Sequence, residues 1–205
     1  MLIIGLTGSI GMGKSTAAEK FRSLGIGVFD ADACVHGLYA GRAVPLIEAA
    51  FPGTTANGVV DRVTLSAALG GRDEAFKMLE AIIHPLVREA ERAFLRTEQN
   101  RGARFAVLEI PLLYETGADG KVDAVIVVSA DAATQRARVM ARPGMTAEKF
   151  ETIFKRQMSD AQKRARAEFV VDTTGPVTDT QAQIDQILHK LAGRTGTAFA
   201  RAWGV

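Results

Sequence analysis

Gly8-Ser9-Ile10-Gly11-Met12-Gly13-Lys14-Ser15 matches the phosphate-binding pattern G-x-x-x-x-G-K-[ST] in full. The apolar run Leu2-Ile3-Ile4-Gly5-Leu6 before it reads as a buried strand, and Thr16 to Leu24 after it as a helix closed by Gly25. Strand, glycine loop and helix therefore come in the order that the pattern requires. Glycines let backbone N–H groups turn inward around a polyphosphate, and the helix N-terminus adds partial positive charge. Lys14 can reach the outer phosphates, and the Ser15 hydroxyl can hold magnesium. The stretch predicts binding of a nucleoside triphosphate.

The rest of the composition agrees with a small α/β protein. A chain of 205 residues, 47% apolar, is enough for one domain with an inserted lobe and excludes general disorder. The net charge of +2 gives no reason to expect nucleic acid as the principal partner. Cys34 is the only cysteine, which excludes an intrachain disulfide and multi-cysteine zinc sites and points to a reducing compartment. No run approaches the roughly 20 apolar residues of a membrane span, and the N-terminus lacks a basic n-region and cleavage site. The expectation is a cytoplasmic protein with no membrane or obligatory protein partner.

Four more short apolar runs read as strands covered on both faces. They are Ile26-Gly27-Val28-Phe29 leading to Asp30-Ala31-Asp32, Phe105 to Leu108 ending in Glu109, Ala124 to Val128, and Phe169 to Val171 ending in Asp172. Between Cys34 and about Asn100 the patterns are helical: Pro45 to Phe51, Asp61 to Leu69, and Glu74 to Glu98, with a break expected at His84-Pro85. Pro52-Gly53 and Asn57-Gly58 read as loops. A long helical stretch broken at Pro143-Gly144 follows, with Thr146 and Ser159 as N-caps and Ser159 to Gln162 as a capping box. The last helix is expected from about Thr180 to Ala192, and Arg194 to Val205 is expected to be a loose tail.

Phosphoryl transfer asks for charge compensation, alignment and a proton acceptor. Asp30 and Asp32, two apart at a strand end, would share one face; one could orient a magnesium shell and the other act as base, or either could simply cap the next helix. Glu109 sits at a strand tip where a carboxylate meets a metal's water shell, or is merely solvated. Leu112, in Pro111-Leu112-Leu113-Tyr114-Glu115, could line an acceptor pocket or pack. Arg138 and Arg142, four apart, would lie on one helical face as a lid pair over a triphosphate, while Arg136, Arg164 and Arg166 read equally well as a solvated basic face. His36 and His84 could touch substrate or only pack, and with His189 they show no metal-ligand spacing.

The stretch Gly5 to Thr16, Asp30-Ala31-Asp32 followed by His36, Leu79 to Pro85 ending in His84-Pro85, and Ile110 to Glu115 together resemble dephospho-CoA kinase, from Leu2 to about Gly175. The resemblance implies a P-loop nucleotide-kinase-like three-layer α/β fold with a five-stranded parallel sheet. Residues 1–33 and 101–205 would form the nucleotide-binding core, 34–100 a helical CoA lobe and 136–158 a helical lid. It implies ATP-dependent phosphorylation of the ribose 3'-hydroxyl of dephospho-CoA, the last step of coenzyme A synthesis, with Mg2+. Carried over position by position, the family's base falls on Asp32, its phosphate loop on Gly11 to Thr16 and its lid arginine on Arg138, with Arg142 beside it. The family usually has aspartate where Glu109 stands, arginine where Ile153 precedes Gln157, and often asparagine near the adenine where Thr173 stands; neither Lys155 nor Arg156 is assigned the missing arginine's role.

Three rival readings share the loop. Another P-loop small-molecule or nucleotide kinase would keep the core and differ in the acceptor lobe. A non-catalytic nucleotide-binding module would need neither Asp32 nor a lid pair. A GTPase would carry N-K-x-D, whereas the only asparagines, Asn57 and Asn100, are followed by Gly58 and Arg101.

Overall fold

The computed structural model describes residues 1–204, the Arg156 side chain excepted. All six residues of β1 (Leu2–Thr7) are buried, which a strand achieves only with sheet neighbours on both edges and cover on both faces. It pairs in parallel with β5 (Phe105–Glu109) on one side, placing Leu6 opposite Glu109, and with β6 (Ala124–Ser129) on the other. β6 in turn pairs with β7 (Phe169–Asp172), Ser129 opposite Asp172, and β2 (Gly27–Asp30) lies beyond β5. The order β2-β5-β1-β6-β7 is the expected five-stranded parallel sheet. The chain builds to one side of β1 and then to the other, so the carboxyl end of β1 is the switch point where open α/β sheets bind ligands.

The chain divides into two compact units, one of Met1–Phe29 with Leu95–Val205 and one of Asp30–Phe94. In the first, Leu2, Ile4, Leu6, Ile126, Val128 and Val171 meet Ala17, Ala18 and Phe21 of α1 (Lys14–Ser23) and Ile184, Ile187 and Leu191 of α9 (Val177–Leu191). Each of the Leu, Ile, Val and Phe side chains among these contributes about 1.5–3 kcal/mol on burial. α6 (Ala132–Met140), α7 (Ala147–Arg156) and α8 (Asp160–Arg166) follow β6. Thr146 caps α7, and Ser159 with Gln162 closes the predicted capping box on α8.

The second unit has its own core of Ile47, Phe51, Val60, Leu65, Leu69 and Ile83, contributed by α3 (Val44–Ala50), α4 (Arg62–Leu69), α5 (Asp73–Asn100) and the segment between α3 and α4. Here the structure departs from expectation twice. Asn57 and Gly58, both at positive φ (53° and 78°), turn a small antiparallel hairpin, Thr55–Ala56 against Val59–Val60, where only a loop was expected. α5 also runs through Pro85 without the expected break. Leu79 and Ile82 before the proline and Leu86 and Val87 after it pack on one core, so tertiary burial holds the helix across the missing N–H.

Two further expectations are corrected. Asp30 ends β2, and Ala31 already belongs to α2 (Ala31–Tyr39). Asp30 and Asp32 therefore do not share a strand face: the first is the N-cap and the second lies in the first helical turn. As far as Gly204 the C-terminal segment is ordered, not loose, and Val205 lies outside the described residues. The Asp123 carboxylate accepts from the Thr197 and Ala198 N–H groups at 2.7 and 2.8 Å, and buried Trp203 donates its indole N–H to the Lys121 carbonyl at 2.8 Å. Gly196 lies flat against the Met1–Leu2 backbone, where a Cβ would come within 2.0 Å of the Met1 carbonyl oxygen.

Candidate active site

The phosphate loop leaves β1 at Thr7 and enters α1 at Lys14. Its glycines are dictated by packing as well as by the loop's curve. A Cβ on Gly8 would sit 2.6 Å from the Val128 carbonyl oxygen. Gly11 and Gly13 adopt φ of 79° and 84°, the left-handed region that side chains other than glycine's adopt at a cost. Met12 is buried, with its sulfur accepting the Ala130 N–H at 3.0 Å, so what it offers a ligand is its backbone. The Lys14 ammonium crosses the loop and donates to the Gly8 carbonyl at 2.7 Å.

α1 begins differently from its neighbours. Asp30, Asp61 and Asp131 cap α2, α4 and α6 with their carboxylates. The N-cap of α1 is Gly13, with no side-chain cap and no acid in its first turn. Its leading N–H groups and dipole therefore face the loop uncompensated by protein, the arrangement that takes an anion. Ser15 is exposed and Thr16 partly so at that end. A cleft of about 380 Å³ beside them is lined by Ser15, Thr16, Glu19, Lys20, Val177 and Gln181.

Three side chains, the buried Gln135 and Thr173 and the half-buried Gln157, fix the loop from outside, and none was foreseen in that role. Ile10 is gripped on both faces of its peptide: its N–H donates to Gln157 Oε1 at 3.0 Å, and its carbonyl accepts from Gln135 Nε2 at 2.8 Å. Gln157 is the C-cap of α7, so that helix is tied directly to the loop. Thr173, 3% exposed after β7, donates its hydroxyl to the Met12 carbonyl at 2.9 Å and lies against Gly13. The same residue accepts both arms of Arg138, NH1 to its hydroxyl at 3.2 Å and NH2 to its carbonyl at 2.7 Å. Only a spatial neighbour list could have found this strut, since 35 residues separate its ends.

Glu109, 7% exposed at the tip of β5, has Arg22 at 3.9 Å. The turn after it divides its apolar residues: Leu113 and Tyr114 are buried, while Leu112 is 39% exposed. Fully buried Lys163 from α8 anchors this turn through the Glu115 carboxylate at 2.9 Å and the Pro111 carbonyl at 3.0 Å, which also accepts from Thr7. A buried cation held this way is paired with an acid and hydrogen-bonded to a carbonyl, the condition under which such burial is tolerated.

Arg138 closes α6, but the helix ends at Met140 and Arg142 lies beyond it, exposed. The expected pairing on one helical face is therefore absent, because Ala141 already caps the helix before Pro143. Ile153 and Lys155 lie on α7, and the Arg156 side chain is outside the described residues. In the second unit the Asp30 carboxylate accepts the Ala33 N–H at 2.9 Å as a cap. Asp32 and His36 are exposed on α2, and His84 is partly buried within α5. Burial first, then the carboxylates of Glu91 and Asp30, push the Cys34 thiol up from its ordinary range, so it stays protonated.

A phosphate loop between β1 and an uncapped α1, at the switch point of a parallel sheet, with a strand-tip acid and an arginine seated on the loop's own support, defines a P-loop phosphotransferase of the kinase type. The comparisons narrow the class. The dephospho-CoA kinase family model matches residues 2–179. A Brucella melitensis protein named dephospho-CoA kinase is 55% identical over 198 residues, 97% of this chain and 99% of the relative. Among solved structures, TT1252 from Thermus thermophilus superposes with a TM-score of 0.81 at 36% identity, covering 94% of this chain and 98% of that one. Dephospho-CoA kinase from Campylobacter jejuni superposes with a TM-score of 0.69 at 26% identity, covering 92% and 96%. The chain belongs to the dephospho-CoA kinase family.

Proposed function

We propose that this enzyme transfers the γ-phosphoryl group of ATP to the ribose 3'-hydroxyl of dephospho-CoA, giving coenzyme A and ADP, and that it does so in the cytoplasm. Family membership over nearly the whole chain carries the reading, and the anion-ready start of α1 supports it physically.

In this account the N–H groups of Gly11 to Thr16 hold the donor phosphates, and Lys14 leaves the Gly8 carbonyl for the β- and γ-oxygens. The Ser15 hydroxyl would hold the ion directly, with the Asp30 and Glu109 carboxylates through water, all oxygen donors of the sort a hard divalent cation takes. Among the described residues no group of three or more metal-ligating side chains gathers, so most of the ion's ligands would be phosphate oxygens and water, which is the habit of Mg2+. Bound there, Mg2+ would supply charge neutralisation at the phosphate oxygens. Asp32 accepts the proton of the 3'-hydroxyl as the new O–P bond forms and the β,γ-bridge bond breaks. Arg138, with Lys14, compensates charge on the moving phosphoryl group, and Arg142 closes on the nucleotide from the lid. His36, His84 and Leu112 contact the acceptor.

The test is Asp32→Asn, read as ADP release with dephospho-CoA as acceptor alongside ATP binding. Turnover should fall at least about 100-fold, the scale of a positioned base, with ATP affinity kept. Near-normal turnover would remove Asp32 from the role.

A further inference from the structure

Two arginines of the second unit differ sharply in how they are held. Arg42 makes a bidentate pair with Glu89, at 2.9 and 2.8 Å, and its charge is spent there. Arg62, the first residue of α4, is exposed, and its NH1 meets the Nε2 of His36 at 2.8 Å. An arginine can only donate, so the ring nitrogen facing it is the unprotonated acceptor and the other nitrogen carries the proton. The neighbouring Asp61 carboxylate is occupied as an N-cap, accepting the Val63 and Thr64 N–H groups at 2.9 and 3.0 Å. No carboxylate among the described residues pairs with Arg62. A neutral ring thus fixes the guanidinium in place while leaving its full charge and most of its donor edges available. Burial pushes the hydroxyl of Tyr39, one turn beyond His36 on α2, up from its ordinary range, and the nearby Arg62 charge partly offsets this.

The position of this cation on its element gives it a use. Asp32 and His36 are four residues apart on α2, on one face and about 6 Å apart along the axis. Arg62 is docked on the second of them. An acceptor whose ribose 3'-hydroxyl is at Asp32 carries its 5'-diphosphate a few bonds away on the same sugar, a double anion that needs a desolvated or forked cation to hold it. We propose that Arg62, held by His36, binds the diphosphate of the acceptor, and that His36 is a positioning residue for it. This gives His36 a role through Arg62 beside the acceptor contact proposed for it above, and it rests on dephospho-CoA being the acceptor.

The experiment is calorimetric titration of dephospho-CoA into the full chain and into Arg62→Ala, Arg62→Lys and His36→Ala, at low and high NaCl, with thermal melts as the control for folding. Arg62→Ala should weaken binding about 10- to 100-fold, the range of a lost charge-assisted contact. It should also flatten the salt dependence. Arg62→Lys should keep most of that salt dependence, and His36→Ala should fall between wild type and Arg62→Ala. Unchanged affinity in Arg62→Ala, or a loss that leaves the salt dependence intact, would overturn the proposal. Wild-type protein that neither binds nor phosphorylates dephospho-CoA would instead overturn the acceptor assignment and the proposal with it.

Discussion

Thr173 shows how a single side chain can couple two parts of a phosphoryl-transfer site. Its hydroxyl donates to the Met12 carbonyl of the loop at 2.9 Å, with the Ser129 carbonyl further off at 3.3 Å, and its lone pair and carbonyl together receive Arg138. Loop and arginine are therefore positioned by the same residue. Thr173→Val keeps the shape and removes the hydroxyl; Thr173→Ser keeps the hydroxyl. The valine variant should lower kcat about 10-fold with little change in KM for dephospho-CoA, and the serine variant should restore it, since one buried hydrogen bond carries about 1 kcal/mol net and more when charged. In an Arg138→Ala background the valine change should cost much less, because the interaction it breaks is already gone. Fully additive losses in that cycle would show that Thr173 acts on stability alone. The sequence could name Thr173 as a departure from the family's asparagine, but the polarity of its bonds could be learned only from the folded chain.

At the scale of elements, what was legible followed from local rules. The five strands are continuous apolar runs, and the caps at Thr146 and Ser159 obey short-range chemistry, so each was readable from a few neighbours. What escaped was decided by contacts distant in sequence. Asp30 ends its strand by capping α2, whereas alternation read Asp-Ala-Asp as strand to the end. Pro85 stays helical because both flanking turns are buried. The end of the chain docks because Asp123, more than 70 residues away, offers a carboxylate to two of its N–H groups. The tail is accordingly predicted to be part of the stability of the first unit. Trp203→Ala, which removes a buried indole and its hydrogen bond to Lys121, should cost about 3–5 kcal/mol and lower the melting temperature by roughly 10 °C. A shift under about 2 °C in a thermal melt would return the segment to the status of an unattached tail.

At the scale of the whole molecule, the proposed donor and acceptor residues fall largely in different units of the chain. The unit of Met1–Phe29 and Leu95–Val205 carries the loop, Glu109, Arg138 and Arg142, the residues proposed for the donor phosphates apart from Asp30. The unit of Asp30–Phe94 carries Asp32, His36, Arg62 and His84, everything but Leu112 assigned to the acceptor. The loop motif alone was enough to expect a nucleotide, because its chemistry is contained in eight residues. The acceptor was not readable from any one motif, because the helical unit presents scattered side chains on a scaffold whose pattern records mainly burial. The most direct measurement is therefore of the product. ADP release is followed with ATP and, in turn, dephospho-CoA, AMP, shikimate or no acceptor, and the new phosphate is located by phosphorus and proton NMR. The account predicts rapid ADP release with dephospho-CoA alone and the phosphate on the ribose 3'-oxygen. Turnover confined to another acceptor, or a phosphate placed elsewhere on dephospho-CoA, would contradict it.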